Sequence, residues 1–430
     1  MSGRTAIINA RLVDPASGLD APGALLIEDG RIADLGPRLF ADAPPADAEV
    51  IDAGGQVLGP GLIDMRVFTG EPGAEHRETL ASASQSAAAG GVTTMIVMPD
   101  TDPVIDEPSL VDFVLRRARD TAVVRVHPMA ALTRDHDGRH MTEMGLLAEA
   151  GAVAFTDGNR AVADSLVMRR ALTYARTFGM LIAHHVEDPA LASAGVMNEG
   201  EFSTRLGLAG RPAIAERIML ERDLSLVWLT GARYHVSQIS CAMSLPPLER
   251  AREHGLPVTA AASAHHLALN EIDIGNYRTF FKVSPPLRAE DDRAAMVRAL
   301  SDGLIDVVVS SHEPRAPEDK RLPFAEAADG AVGLETLLPV LLELVHNGAL
   351  TLTQALRTVT CRPAEILGLE GGRLEKGAPA DLVLIDVDRP FVLDGEALRS
   401  RSKNTPFDGR RLQGRAVRTF VSGKTVFQAG

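Results

Sequence analysis

Apolar positions in this chain follow two different periods, and the changeover points divide it into zones. Between residues 57 and 371, eight short apolar runs with β-rich content recur: Leu62–Phe68, Val92–Met98, Ala122–His127, Ala152–Asp157, Met180–His185, Tyr234–Ile239, Val258–Ala262 and Ile305–Ser310. Stretches with helical spacing separate them, among them Leu110–Ala118, Met168–Thr177, Leu245–His254 and Arg293–Leu300. Strands alternating with helices predict a parallel sheet, and eight such units predict closure into a (β/α)₈ barrel. The ends of the runs then matter most, because barrel chemistry sits at the C-terminal ends of the strands. The Gly90-Gly91 pair matches no phosphate-binding loop and predicts a tight helix-to-strand turn. The stretch Arg315–Gly330 reads as a long loop, either a surface connection or a lid over the barrel mouth.

Both chain ends look different. Residues 1–56 contain the β-type runs Ala6–Ile8, Ala24–Ile27 and Arg31–Leu35, broken by Asp14-Pro15, Asp29-Gly30 and Gly36-Pro37. Residues 372–430 contain Leu382–Ile385, Ala416–Val421 and Thr425–Phe427, with Ser422-Gly423 as a hairpin turn. A chain of 430 residues, 45% hydrophobic, is long enough for one barrel and an accessory β-domain. The formal net charge of −13 opposes nucleic-acid or anionic-membrane binding. Two distant cysteines, Cys241 and Cys361, suggest neither a disulfide framework nor a thiolate metal site. The first residues lack an apolar signal segment, and no apolar stretch of membrane-spanning length follows. The expectation is a cytoplasmic protein.

Landmarks then appear in a fixed order. Gly59-Pro-Gly-Leu-Ile-Asp64, Glu71-Pro-Gly73, Glu78, Ala87-Ala-Ala-Gly-Gly-Val-Thr-Thr94 and Met98-Pro-Asp-Thr101 come first. Phe155-Thr-Asp157, His185-Val-Glu-Asp188, Tyr234-His-Val-Ser237, His265-His-Leu267, Pro285-Pro-Leu-Arg288 and Gly333-Leu-Glu-Thr336 follow. Gly372-Arg-Leu-Glu-Lys-Gly377, Ala380-Asp-Leu382 and Lys403-Asn-Thr-Pro-Phe407 close the series. Over nearly its whole length the chain resembles the class I dihydroorotases of the amidohydrolase superfamily. That resemblance implies an amidohydrolase-type barrel over 57–371 and a small β-sandwich domain formed by 1–56 plus 372–430.

The resemblance also implies a chemistry. Dihydroorotases interconvert carbamoyl-aspartate and dihydroorotate, with a zinc-bound hydroxide attacking the ring carbonyl. Their ligands are a His-x-His pair after the first strand, an Asp on the fourth, a His on each of the fifth and sixth, and a catalytic Asp after the eighth. Asp157 and His185 keep the fourth and fifth positions, while Arg66, Phe68, Gln238 and Ser311 occupy the other four. Guanidinium offers only donors and a phenyl ring has no donor atom, so neither Arg66 nor Phe68 can bind a metal. At the family's substrate positions stand Gly70 for an arginine, Asp100 and Ser284 for asparagines, and Arg315 for a histidine.

No catalytic residue, metal ligand or cofactor is therefore expected, and Arg66 is expected to form a charge-assisted pair with Asp157. A rebuilt zinc site from Asp157, His185 and His312 is the alternative. His184 should face the helices if His185 faces the barrel. The His265-His266 pair reads as structural, and His76, His136, His140, His254 and His346 receive no role. Three functions stay open: an inactive dihydroorotase homologue, an active cyclic amidohydrolase, and a metabolite binder using the emptied mouth. The chain is most similar to the inactive subunits that accompany bacterial aspartate carbamoyltransferase, which implies that enzyme as partner and an oligomeric assembly.

Overall fold

The computed structural model describes residues 3–40 and 43–430. Seven parallel strands, Leu62–Val67, Val92–Val97, Arg125–Pro128, Leu181–His184, Arg233–Val236, Val258–Ser263 and Val307–Val309, build most of a (β/α)₈ barrel. Their residues are almost all buried, as strands covered by helices on one side and packed into a barrel on the other must be. Bridges from Val67 to His312, and from Phe155 to both Ala130 and Ile182, close the ring.

The run Ala152–Asp157 is therefore not a full strand. Gly151 and Gly158, at φ +115° and +64°, turn the chain on either side and leave only a short extended piece. Its backbone still bonds both neighbours, through Val153 N to the Pro128 carbonyl and Phe155 N to the Leu181 carbonyl, each at 3.0 Å. Helices begin and end as their sequences require. Asp164 caps Ser165–Phe178 by accepting from the Leu166 and Val167 amides, and Gly179 ends it in the left-handed region. Gly90-Gly91 makes the helix-to-strand turn. A Cβ at Gly90 would lie 2.2 Å from the Leu334 carbonyl oxygen, so backbone occupies the space a side chain would need.

Both chain ends contribute to one eight-stranded sheet that forms the β-sandwich domain. Ser422 and Gly423, both at positive φ, make its last hairpin turn. Val57–Pro60 pairs with Arg11–Leu12 and with Leu382–Ile385, so the sheet runs a few residues past the boundary placed at 57. Barrel and sheet are joined by charge and by packing. Asp381 accepts from Arg125, with Nη2 at 3.1 Å, and from the Ser422 amide at 2.8 Å.

The Lys403–Phe407 motif shows why it belongs in the pattern. The Asn404 carboxamide donates to the carbonyls of Glu313 and Gly330, at 3.3 and 3.1 Å, and its oxygen accepts from Arg315 N. Phe407 is fully buried and stacks on His265 with ring centroids 5.7 Å apart. His266 Nε2 donates to the Pro285 carbonyl at 3.1 Å, so both histidines hold structure. The stretch Arg315–Gly330 is packed down and is not a loose surface connection. The Lys320 ammonium donates to the carbonyls of Thr279, Lys282 and Ala328, while Lys282 donates to those of Ala325 and Ala327. Among the described residues no helix is long and apolar enough to cross a membrane.

Truncating Phe407 to alanine leaves a cavity under His265, and should lower stability by about 3–5 kcal/mol. Urea unfolding followed by circular dichroism measures it; a loss below about 1 kcal/mol would show that this segment does not hold the two parts together.

Candidate functional site

The strand ends converge on Arg66. Its guanidinium crosses the barrel from the first strand, donating through Nη1 to the Ser237 hydroxyl and through Nη2 to the Asn159 side-chain oxygen. It also lies 5.3 Å from the centroid of the Phe68 ring, a cation–π contact between the two residues at the His-x-His positions. Asn159 in turn donates to Glu313 at 3.0 Å, and Glu313 also accepts from Arg315. Burial pushes the Arg66 pKa down, and the charges of Asp100, Glu313 and Asp64 oppose that shift.

Arg66 does not pair with Asp157. The Asp157 carboxylate is turned to the loop after the third strand, accepting from Leu132 N at 2.9 Å, Thr133 N at 2.8 Å and the Thr133 hydroxyl. Backbone amides satisfy it locally, so the cation is answered by Asn159, Glu313 and Asp100 instead. Burial raises the Asp157 pKa against these bonds. Asp100 sits beside them with its carboxyl pushed up to about 7 by burial, an effect that Arg66 partly offsets. Gly158, at φ +64°, closes on it so tightly that a Cβ would overlap the Asp100 carboxylate.

The other expected positions are also engaged. Gln238 donates to the Ser284 carbonyl at 2.8 Å, and the Ser284 hydroxyl accepts from Arg211 at 3.1 Å. Arg211 reaches Glu187 at 3.3 Å and Asp329 at 3.5 Å. Gly70, at φ +74°, lies in a loop where a Cβ would come within 2.8 Å of the Ala74 carbonyl oxygen, so the loop is shaped around the missing side chain. Ser311 adopts a positive φ of 48°. His312 is fully buried; its Nδ1 accepts from Gly333 N at 3.2 Å and its Nε2 lies 3.6 Å from Glu78. His184 faces the helices as the strand alternation requires, donating from Nδ1 to Asp223 and accepting at Nε2 from Val162 N.

His185 lines a cleft of about 520 Å³ at the rim of the mouth, together with His136, Asn159, Arg160 and Glu187. Burial pushes the His136 pKa down to about 4, and Arg160 adds to the shift. Sequence reasoning missed His136, Asn159 and Glu313. His136 and Asn159 lie in irregular loops without periodic signal. Glu313 had one, being a carboxylate two residues beyond Ser311 in the eighth-strand motif.

A zinc ion does not fit this donor set. Among the described residues no group of three or more His, Cys, Asp or Glu side chains could hold a metal. Asp157 is committed to Thr133, His312 is turned to Glu78, and Arg66 brings a cation between the strand ends. The rebuilt site from Asp157, His185 and His312 is not assembled.

The chain matches the dihydro-orotase-like family model over residues 55–244 and the amidohydrolase family model over 344–427. It is 42% identical over 426 residues to the dihydroorotase of Ehrlichia chaffeensis, covering 99% of this chain and 95% of that one. It is 44% identical over 421 residues to the dihydroorotase of Syntrophobacter fumaroxidans, covering 97% and 95%. This chain belongs to the dihydroorotase-like family. Among solved structures, the fold of this dihydroorotase-like protein is similar to L-hydantoinase from Arthrobacter aurescens. The TM-score is 0.90 at 26% identity, covering 100% of this chain and 97% of that one. Dihydropyrimidinase from Brevibacillus agri shares the fold at a TM-score of 0.85 and 23% identity, covering 99% and 95%. Within that shared frame, the mouth of the dihydroorotase-like chain is crossed by its own side chains.

Arg66→Met removes the cation, takes the donor from Ser237 and Asn159 and leaves Asp100 without its partner charge, which should cost about 3–5 kcal/mol, measured by urea unfolding. A near-neutral result would mean that the guanidinium is not what balances these groups. Asp100 gives a second readout. Its pKa lies above the ordinary value of 3.8, so its contribution is fully present below that value and is lost as pH rises to about 7. The stability of Asp100→Asn relative to the parent should therefore climb between about pH 4 and 7 and level off above, and a flat difference across that range would contradict the burial of that carboxyl.

Proposed function

We propose that this dihydroorotase-like protein is non-catalytic and acts in pyrimidine biosynthesis as a structural or regulatory partner of aspartate carbamoyltransferase. The observation that carries the non-catalytic reading is Arg66, bound across the barrel to Ser237 and Asn159 where the family's first-strand histidines would stand. Ser311 adds to it, because the position that would handle the proton holds no base. Losing ligands, base and substrate arginine together removes both binding and transition-state stabilisation. The choice of partner rests on the resemblance of the sequence motifs to inactive subunits of that kind.

A second reading, a working dihydroorotase, is favoured by one observation. Relatives 42–44% identical over almost the full chain carry that name. It would require Arg66 to swing out and Asp157 to leave Thr133, so that Asp157, His185 and a third donor could gather around zinc.

Turnover of dihydroorotate and of carbamoyl-aspartate, with and without zinc, separates the two. We expect none above buffer, and less than stoichiometric zinc after dialysis by elemental analysis. Zinc-dependent turnover abolished by His185→Ala would establish the enzyme instead. Co-elution with the organism's aspartate carbamoyltransferase tests the partner.

A further inference from the structure

The cleft of about 520 Å³ at the rim of the mouth is lined by polar groups that the fold itself does not satisfy. Three of its side chains are more than nine-tenths buried and still carry a polar atom without a hydrogen-bond partner: His136 at Nε2, His185 at Nδ1 and Glu187 at Oε1. Buried polar atoms are ordinarily paired, and three such atoms around one cavity are what a bound molecule would pair. The side chains are otherwise fixed in place. His185 Nε2 lies 3.6 Å from the Glu187 Oε2 oxygen, which Arg211 also reaches at 3.3 Å. His136 Nδ1 lies 3.8 Å from Asp100. The loop that carries His136 holds Asp135 and His136 at φ 49° and 55°, with Asp106 accepting from Asp135 N at 3.0 Å. Successive side-chain-bearing residues stay in the left-handed region only where the surroundings impose it.

Two cations stand at the open side. Arg139 and Arg160 line the cleft, both exposed, and among the described residues neither makes an ion pair. The carboxylates around them are engaged elsewhere. Asp137 accepts from Arg139 N, His140 N and His140 Nδ1, and Asp164 caps the helix Ser165–Phe178. Glu143 lies 3.5 Å from Arg134. In a chain whose net charge is −13, this corner keeps two positive charges unspent, which suits an anion.

We propose that this cleft binds a small phosphate ester that also carries hydroxyl groups. A phosphate brings about −1.5 to −2 charges at pH 7, which answers two guanidiniums where a single carboxylate answers one. An ionised Glu187 can only accept, so the ligand must also bring a donor. A hydroxyl does so, and it can donate to or accept from the two imidazoles as their tautomers require. The volume lies within the roughly 300–1,000 Å³ of small-molecule sites. None of Gly70, Asp100, Ser284 and Arg315, where the family's substrate contacts would stand, lines this cleft. The site needs no metal, and it stands whether or not aspartate carbamoyltransferase is the partner.

Isothermal titration calorimetry of the full chain, dialysed against a chelator, tests this with ribose 5-phosphate, inorganic phosphate, ribose and malonate. We expect one ribose 5-phosphate per chain, bound about 10-fold more tightly than inorganic phosphate, and no heat from ribose or malonate. Arg139→Ala with Arg160→Ala should weaken that binding by about 100-fold, with unchanged circular dichroism showing that the variant folds. Glu187→Gln should narrow the gap between ribose 5-phosphate and inorganic phosphate, because only the ester has hydroxyls to offer that carboxylate. Adenosine 5′-phosphate is titrated alongside. Tighter binding than ribose 5-phosphate assigns the ester to a nucleotide, and weaker binding assigns it to a sugar phosphate. Absence of phosphate binding at millimolar concentration overturns the proposal. So does an affinity that the double arginine substitution leaves unchanged, and so does malonate binding as tightly as ribose 5-phosphate.

Discussion

A guanidinium fixed at the centre of a barrel must find acceptors there, because water cannot supply them and its charge cannot be discarded. Arg66 finds them on the sixth strand in Ser237, on the loop after the fourth in Asn159, and beyond Asn159 in Glu313 from the eighth. Much of the rest of the mouth follows from meeting that demand. Asn159 has to be held by both neighbours, Glu313 has to be kept in place by Arg315 and Asn404, and Asp100 has to stay close enough to add its charge. The same constraint makes the centre poor ground for a divalent cation, since two positive groups would compete for the same few carboxylates.

The surrounding frame is arranged to spare Arg66 other duties. Asp157 is taken out of the centre by two amides and a hydroxyl from the loop at Thr133. His312 is held by Gly333 and faces Glu78, which itself accepts from the Ser400 hydroxyl and the Arg401 amide. Glu78 and His312 thus tie the barrel to the C-terminal segment. Persistence of Asp157 and His312 in the chain says little about a metal when each has a hydrogen-bonding role of its own.

The architecture was legible because it rests on patterns with a period. Eight apolar runs gave the barrel, and turn residues at both ends gave the β-domain. The fourth run misled because its residues are apolar while glycines on either side cut the extended stretch short. The motifs of fixed order also pointed to Arg66, Phe68, Gln238 and Ser311 at the strand ends, and Arg66 does lie at the centre of the mouth. Which acceptor would take the Arg66 charge was not legible. That choice depends on the reach of Asn159 and Glu313 from irregular loops, and on backbone amides capturing Asp157 first. No spacing in the sequence encodes where a loop carbonyl or amide will point.

The segment Lys403–Phe407 gives this architecture a direction in time. Asn404 fastens the carbonyls of Glu313 and Gly330, and Phe407 seals His265, yet these residues leave the ribosome long after the barrel strands. Until they arrive, the eighth-strand loop lacks the Asn404 contacts, so the barrel and the segment that fastens its mouth are made far apart in the chain and can meet only late in synthesis.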